Sequence, residues 1–177
     1  MRLGKNTIFL NCHKHIKKQP IHYLAAMYSR HEVAKLKENF WVTFGRYMQP
    51  VVPADGERVN WVNYKTGVQG ISFRMDADNK QASIAIVLAH KDAGMRAQHY
   101  AQLLQLKTLL HNELGEAWTW EENTTDEFGK PISLVGTAIS GINILKQEDW
   151  PALISFLKPR IIALDAFWSN VKYAFEL

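Results

Sequence analysis

The segment Ile71–His90, ISFRMDADNKQASIAIVLAH, restricts the fold more than any other part of the chain. Ile71, Phe73 and Met75 alternate with Ser72, Arg74 and Asp76. After the polar Asp78-Asn79-Lys80, Ala82, Ile84, Ile86 and Leu88 alternate with Ser83, Ala85 and Val87. A period of two on both sides of a polar turn is the pattern of an antiparallel β-hairpin with one apolar face. Asn79 suits a left-handed conformation in that turn.

The flanking segments carry helical and strand periods in a fixed order. Val33, Leu36, Phe40, Phe44 and Tyr47 form one apolar stripe over Ser29–Met48, widened by Trp41 and Met48. Ser29 followed by Glu32 is a capping box that starts this helix. Pro50, Pro53 and Gly56 end it in a loop, and the alternation in Arg58–Gly67 (RVNWVNYKTG) predicts a strand. Asp92–Leu114 is predicted as one long helix, with Met95, His99, Leu103, Leu106, Leu110 and Leu114 inward and Gly115 as its stop. Two strands around Gly129 follow, the first with Trp118 and Trp120 on one face. The second contains Gly136 and Gly141, which predict a bulge or break. A closing helix is capped by Asp149, begins at Pro151 and is kinked or restarted by Pro159. Ile161, Leu164, Phe167, Trp168, Val171 and Phe175 form its stripe. The order α-βββ-α-ββ-α predicts an α+β fold, a mixed or antiparallel five-stranded sheet packed with helices.

Charge argues less for a polyanion partner than its total suggests. The chain has 177 residues, 21 Lys+Arg, 17 Asp+Glu and a formal net charge of +4. Residues 1–30 hold six of the bases (Arg2, Lys5, Lys14, Lys17, Lys18, Arg30) and no acid, so the remainder is close to neutral. Residues 1–28 are expected to be a basic extension outside the fold, disordered or translated upstream of a start at Met27, with one α+β domain over 29–177. The apolar run Thr7–Leu10 is too short for a signal peptide. Cys12, His13 and His15 lack zinc-site spacing. No run is long enough to span a bilayer, and one cysteine excludes an intrachain disulfide. A cytoplasmic location and no membrane partner are expected.

No nucleophile elbow, phosphate loop, zincin or paired-cysteine motif is present. Asp76, Asp78 and Asn79 open like a calcium loop, but Gln81 and Val87 stand where its Gly and Glu belong. His90, Lys91 and Asp92 put an imidazole, an ammonium and a carboxylate at the end of a strand, with Asp92 also a helix cap. The catalytic candidates are therefore Asp76, His90 and Lys91. Lys65, Arg74, Lys80, Lys91 and Arg96 are the nucleic-acid-binding candidates, diluted by the acids at 76, 78 and 92. Trp118 and Trp120 fit core packing better than base stacking.

VNWVNYKTG, GISFRMDADNKQASIAIVLAHKD, KTLLHNELGEAWTWE and EDWPALISFLKPRIIALDAFW together resemble domain of unknown function family 4268, a bacterial and archaeal family, over residues 27–177. The resemblance implies a link to DNA processing or defence, because members occur alone or fused behind nuclease-like domains. The α-βββ-α-β order is also similar to the PD-(D/E)XK nuclease core, which implies an Asp and an acid-x-Lys pair around Mg²⁺. Here Ala89 stands two before Lys91, so that resemblance implies a degenerate site. The expected function is a non-enzymatic binding or accessory protein with no cofactor, partnered by nucleic acid or a DNA-processing protein. The alternatives are a Mg²⁺-dependent nuclease using Asp76, His90 and Lys91, and a homo-oligomeric structural protein.

Overall fold

The computed structural model describes residues 29–175. The expectations for residues 1–28, including Cys12, His13, His15 and the basic cluster, lie outside the described residues. In chain order the elements are α1 (Arg30–Met48), β1 (Ile71–Ala77), β2 (Gln81–Leu88), α2 (Ala93–Gln105), α3 (Lys107–Leu114), β3 (Thr119–Thr125), β4 (Pro131–Ser140) and α4 (Trp150–Val171). A 3₁₀ turn precedes α4 at Gln147–Asp149 and another follows it at Lys172–Phe175. The fold is α+β. No helix among the described residues is long and apolar enough to cross a membrane.

The hairpin forms in the register its alternation demands. Ile71 pairs with Leu88 and Phe73 with Ile86, and the whole sheet is antiparallel in the order β1-β2-β4-β3. Ile71, Phe73, Ala82, Ile84, Ile86, Leu88 and Val135 face a core completed by Phe40, Phe44, Leu103, Leu110, Leu153 and Trp168 from the helices. Among the described residues, the other sheet face carries only a small buried apolar cluster, Ala85, Val87 and Ile132. Asn79 is not left-handed, since every positive-φ residue described is a glycine. The Asp78 side chain holds the turn instead, accepting from the Lys80 and Gln81 amides at 2.7 and 2.9 Å.

Four expectations need correction. The sheet has four strands among the described residues, because Arg58–Gly67 forms turns and not a strand. Its alternation is real, but the Asn60 carboxamide accepts from the Val62 and Asn63 amides (3.1 Å each), a side-chain turn that competes with strand pairing. The predicted helix Asp92–Leu114 is two helices, broken at Leu106 (φ −92°, ψ 6°), although Asp92 Oδ1 does cap α2 by accepting from Met95 (2.8 Å) and Gly115 (φ +68°) does end α3. Asp149 makes no cap bond to α4; its carboxylate accepts from the Asn143 amide (2.9 Å) after the 3₁₀ turn has started the helix. Pro159 lies within α4, which runs on past it to Val171 without a restart.

Two smaller details also differ. Tyr47 is 51% exposed and lies under Lys158 Nζ at 4.6 Å, while Phe40, Phe44 and Met48 form the buried i, i+4 row of α1. The bulge of the second hairpin falls in β3, between Glu121 and Thr124, and not at Gly136. Gly136 pairs regularly with Ala85, and a Cβ there would stand 2.7 Å from the Ala85 Cβ and 2.9 Å from the Ile84 carbonyl oxygen. It is a glycine because two strands approach closely, as strand glycines often are. The Ser29–Glu32 capping box is present in both halves.

Candidate functional site

Residues 49–70 have no regular structure, yet they are tightly held. Trp168 on α4 donates from Nε1 to the Thr66 carbonyl at 2.7 Å. Asp165, one turn back and 4% exposed, accepts from the Tyr64 hydroxyl (2.6 Å) and the Ala54 amide (2.7 Å). Burial first, then the hydrogen bond to Asp165, pushes the Tyr64 hydroxyl far above its ordinary pKa, so it remains a donor. Thr66 in turn donates from Oγ1 to the Ile71 carbonyl at 2.7 Å. Tyr64 stacks on Phe73 with ring centroids 5.0 Å apart. These bonds fix the 62–66 segment beside β1.

Between that segment and β1 runs a groove of 570 Å³, lined by Lys37, Val62, Asn63, Tyr64, Lys65, Phe73, Arg74, Met75, Asp76 and Glu127. Lys37 comes from α1, Lys65 from the clamped segment and Arg74 from the solvent side of β1. Three cations from three elements therefore meet at one groove, against Asp76 and Glu127. Asp76 is partly occupied, accepting from the Ala77 amide at 2.8 Å.

The other candidates lie elsewhere. Lys80 sits in the β1–β2 turn, where its carbonyl accepts from the Gly141 and Ile142 amides. His90, Lys91 and Arg96 are at the opposite end of the hairpin. Asp76 pairs with Ser83, seven residues before His90, which at about 3.3 Å per residue puts their backbones about 23 Å apart. Asp76, His90 and Lys91 thus do not converge. His90 Nδ1 accepts from the Asp92 amide (3.1 Å), and its carbonyl accepts from Arg96 Nη1 (3.1 Å). Among the described residues no three His, Cys, Asp or Glu side chains are grouped to hold a metal ion.

His90 also faces His99, with ring centroids 6.2 Å apart, at a cleft of 190 Å³ also lined by Met95, Phe175 and the Gly67–Gln69 loop. His99 is 2% exposed, and its Nδ1 has no partner among the described residues. Burial, and secondarily the charge of His90, lowers its pKa from the usual 6.5. A base with a depressed folded pKa binds its proton more readily when unfolded. Its contribution is therefore fully present above about pH 6.5 and declines as pH falls below that value. The urea midpoint is expected to drop between about pH 7 and pH 5, and to drop less in His99→Phe. Equal drops in the two proteins would assign the effect to other groups.

Trp118 is a core residue, and Trp120 is partly buried against the same core. His111 Nε2 accepts from the Trp118 amide (3.3 Å) and from Trp120 Nε1 (3.2 Å), while Trp118 Nε1 donates to Glu116, which also pairs with Arg160. Sequence reasoning missed Lys37, Tyr64 and Asp165. For Asp165 a signal existed: it stands four residues after Ile161 and three before Trp168, on the buried stripe of its helix. A carboxylate in such a row needs a partner. Lys37 carried no signal, being one of several bases on an amphipathic helix.

A family profile described as "Domain of unknown function (DUF4268)" matches residues 36–172, from the second turn of α1 to the end of α4. No curated protein and no solved structure matches the chain.

Proposed function

We propose that this chain, which belongs to the DUF4268 family, is a non-enzymatic accessory module of DNA processing or defence that binds an anionic partner in the groove along β1. The observation that carries the reading is the convergence of Lys37, Lys65 and Arg74 on that groove. Opposite charge across an interface steers encounter and fixes register more than it adds affinity, so a modest, salt-sensitive complex is expected. The separation of Asp76 from His90 and Lys91 weighs against the nuclease alternative, which needs acid and lysine around one metal ion. A nuclease-like core would also need an acid two residues before Lys91, where Ala89 stands.

Titration with two polyanions, a single-stranded DNA oligonucleotide and polyglutamate, tests the reading. At low salt at least one is expected to bind, with an affinity that falls steeply as salt rises; for DNA meeting three cations the log–log slope is about −2. Lys65→Glu with Arg74→Glu is expected to abolish binding while leaving the unfolding free energy within about 0.5 kcal/mol of the parent, since both side chains are exposed. No binding of either polyanion at about 20 mM salt would overturn the proposal. Cleavage of the DNA with Mg²⁺ or Mn²⁺, lost in Asp76→Ala, would replace it with the enzyme.

A further inference from the structure

Among the described residues, the floor of the β1 groove is an unpaired strand edge: β1 is an outer strand, paired there only with β2. The outward direction of its backbone groups alternates, and its two ends show which residues point out. Ile71 donates outward to the Val68 carbonyl and accepts from Thr66 Oγ1, and the Ala77 amide donates to the Asp76 side chain. Phe73 and Met75 therefore also present their N–H and C=O groups to the groove, and neither has a partner there among the described residues. A free edge of this kind is a template for another strand. The opposite edge is blunted: β3 carries a bulge between Glu121 and Thr124, and its acids Glu121 and Glu122 are exposed.

We infer that the β1 edge takes up an extended acidic peptide as an added strand, hydrogen-bonded to Phe73 and Met75, with an acidic side chain opposite Arg74 and apolar side chains beside it. The inference rests on the reading of the groove as the binding surface and names the partner class. Side chains of an added strand alternate between the two sheet faces. The residue opposite Arg74 shares its solvent face, near Lys65. Its two neighbours share the face of Phe73 and Met75, beside Val62 and Tyr64. A second copy that pairs Phe73 with Met75 sets Arg74 against Arg74, and directly opposed like charges destabilise a pair; the register that pairs Arg74 with Asp76 would show instead as slow exchange at this edge before peptide is added. Nucleic acid also fits worse: the edge offers as many carbonyl oxygens as amides, and a phosphate backbone carries no donor to meet them.

The test is amide hydrogen exchange of the full chain with a synthetic peptide, acetyl-Glu-Val-Glu-Val-Glu-amide. The amides of Phe73 and Met75 are expected to exchange freely alone and about tenfold more slowly with saturating peptide. The lysine counterpart, acetyl-Lys-Val-Lys-Val-Lys-amide, is expected to leave them unchanged. Methylating the peptide's backbone nitrogens is expected to abolish the protection without altering the protein, and Met75→Pro, tolerable on an edge strand, to weaken binding about tenfold. Binding of the acidic peptide without protection of these amides would overturn strand addition and leave the anionic-partner reading standing. So would DNA binding that depends on Arg74 with no peptide binding. Slow exchange at Phe73 and Met75 before peptide is added would show the edge already paired and also overturn it. Failure of peptide, polyglutamate and DNA alike would remove both readings.

Discussion

Replacing Trp168 with alanine is expected to destabilise the protein by about 3–5 kcal/mol, read as a lower urea midpoint at an unchanged slope. The indole is 2% exposed and meets Phe73 edge-on at 5.7 Å and Phe175 at 5.1 Å. Its removal leaves a cavity that flanking rings of fixed shape can fill only in part, and it strips the Thr66 carbonyl of its donor. Trp168→Phe separates these contributions. It retains most of the ring contacts and loses the hydrogen bond, so its cost is expected to be nearer 1–2 kcal/mol, roughly the penalty for one buried carbonyl left unpaired. A Trp168→Ala loss below about 1 kcal/mol would mean that residues 62–66 are held by something other than α4.

Asp165→Ala is the second large effect. Both carboxylate oxygens are used, one by Tyr64 and one by Ala54, at positions more than 100 residues away in sequence. Truncation strands a buried hydroxyl and a backbone amide together, at about 2–4 kcal/mol. Asp165→Asn keeps one acceptor oxygen and turns the other into a donor that faces a donor, so it is expected to lose a smaller part. Residues 165 and 168 clamp the same segment. The double variant is therefore expected to be less destabilised than the sum of the singles, because once the clamp is open the second loss removes little more. Either variant is also expected to weaken the anionic binding proposed for the β1 groove, since Lys65 follows Tyr64 directly and takes its position from that clamp.

The legible parts of this chain were those where one physical preference acts alone. Period-two alternation gave the β1–β2 hairpin and its register, since slipping by one residue would expose Phe73, Ile84 and Ile86 together. Ser29 with Glu32, Asp92 and Gly115 marked helix ends because their geometry is local. Arg58–Gly67 misled because two local preferences compete there, alternation favouring a strand and the Asn60 side chain favouring a turn. Its outcome depends on Trp168 and Asp165, which arrive from the last helix. Asp149 misled for a similar reason, its carboxylate being drawn to the Asn143 amide and away from the helix start.

The candidate site divides along the same line. Arg74 and Lys65 were identifiable as exposed bases near the hairpin, and Asp76, His90 and Lys91 as chemistry-bearing groups on it. Their distances were not, because hairpin neighbours in sequence separate by a full strand in space. Lys37 joins the groove from α1, 34 residues before the start of β1, and the Phe73–Met75 edge is uncovered among the described residues, where Arg58–Gly67 forms turns. By itself the sequence determined the hairpin, the main helix-end signals and the α+β class, all of which follow from the period and chemistry of adjacent residues. Which charges share a groove, and which strand edge stays open, was decided by the tertiary structure alone, since both depend on long-range contacts that leave no periodic trace in the chain.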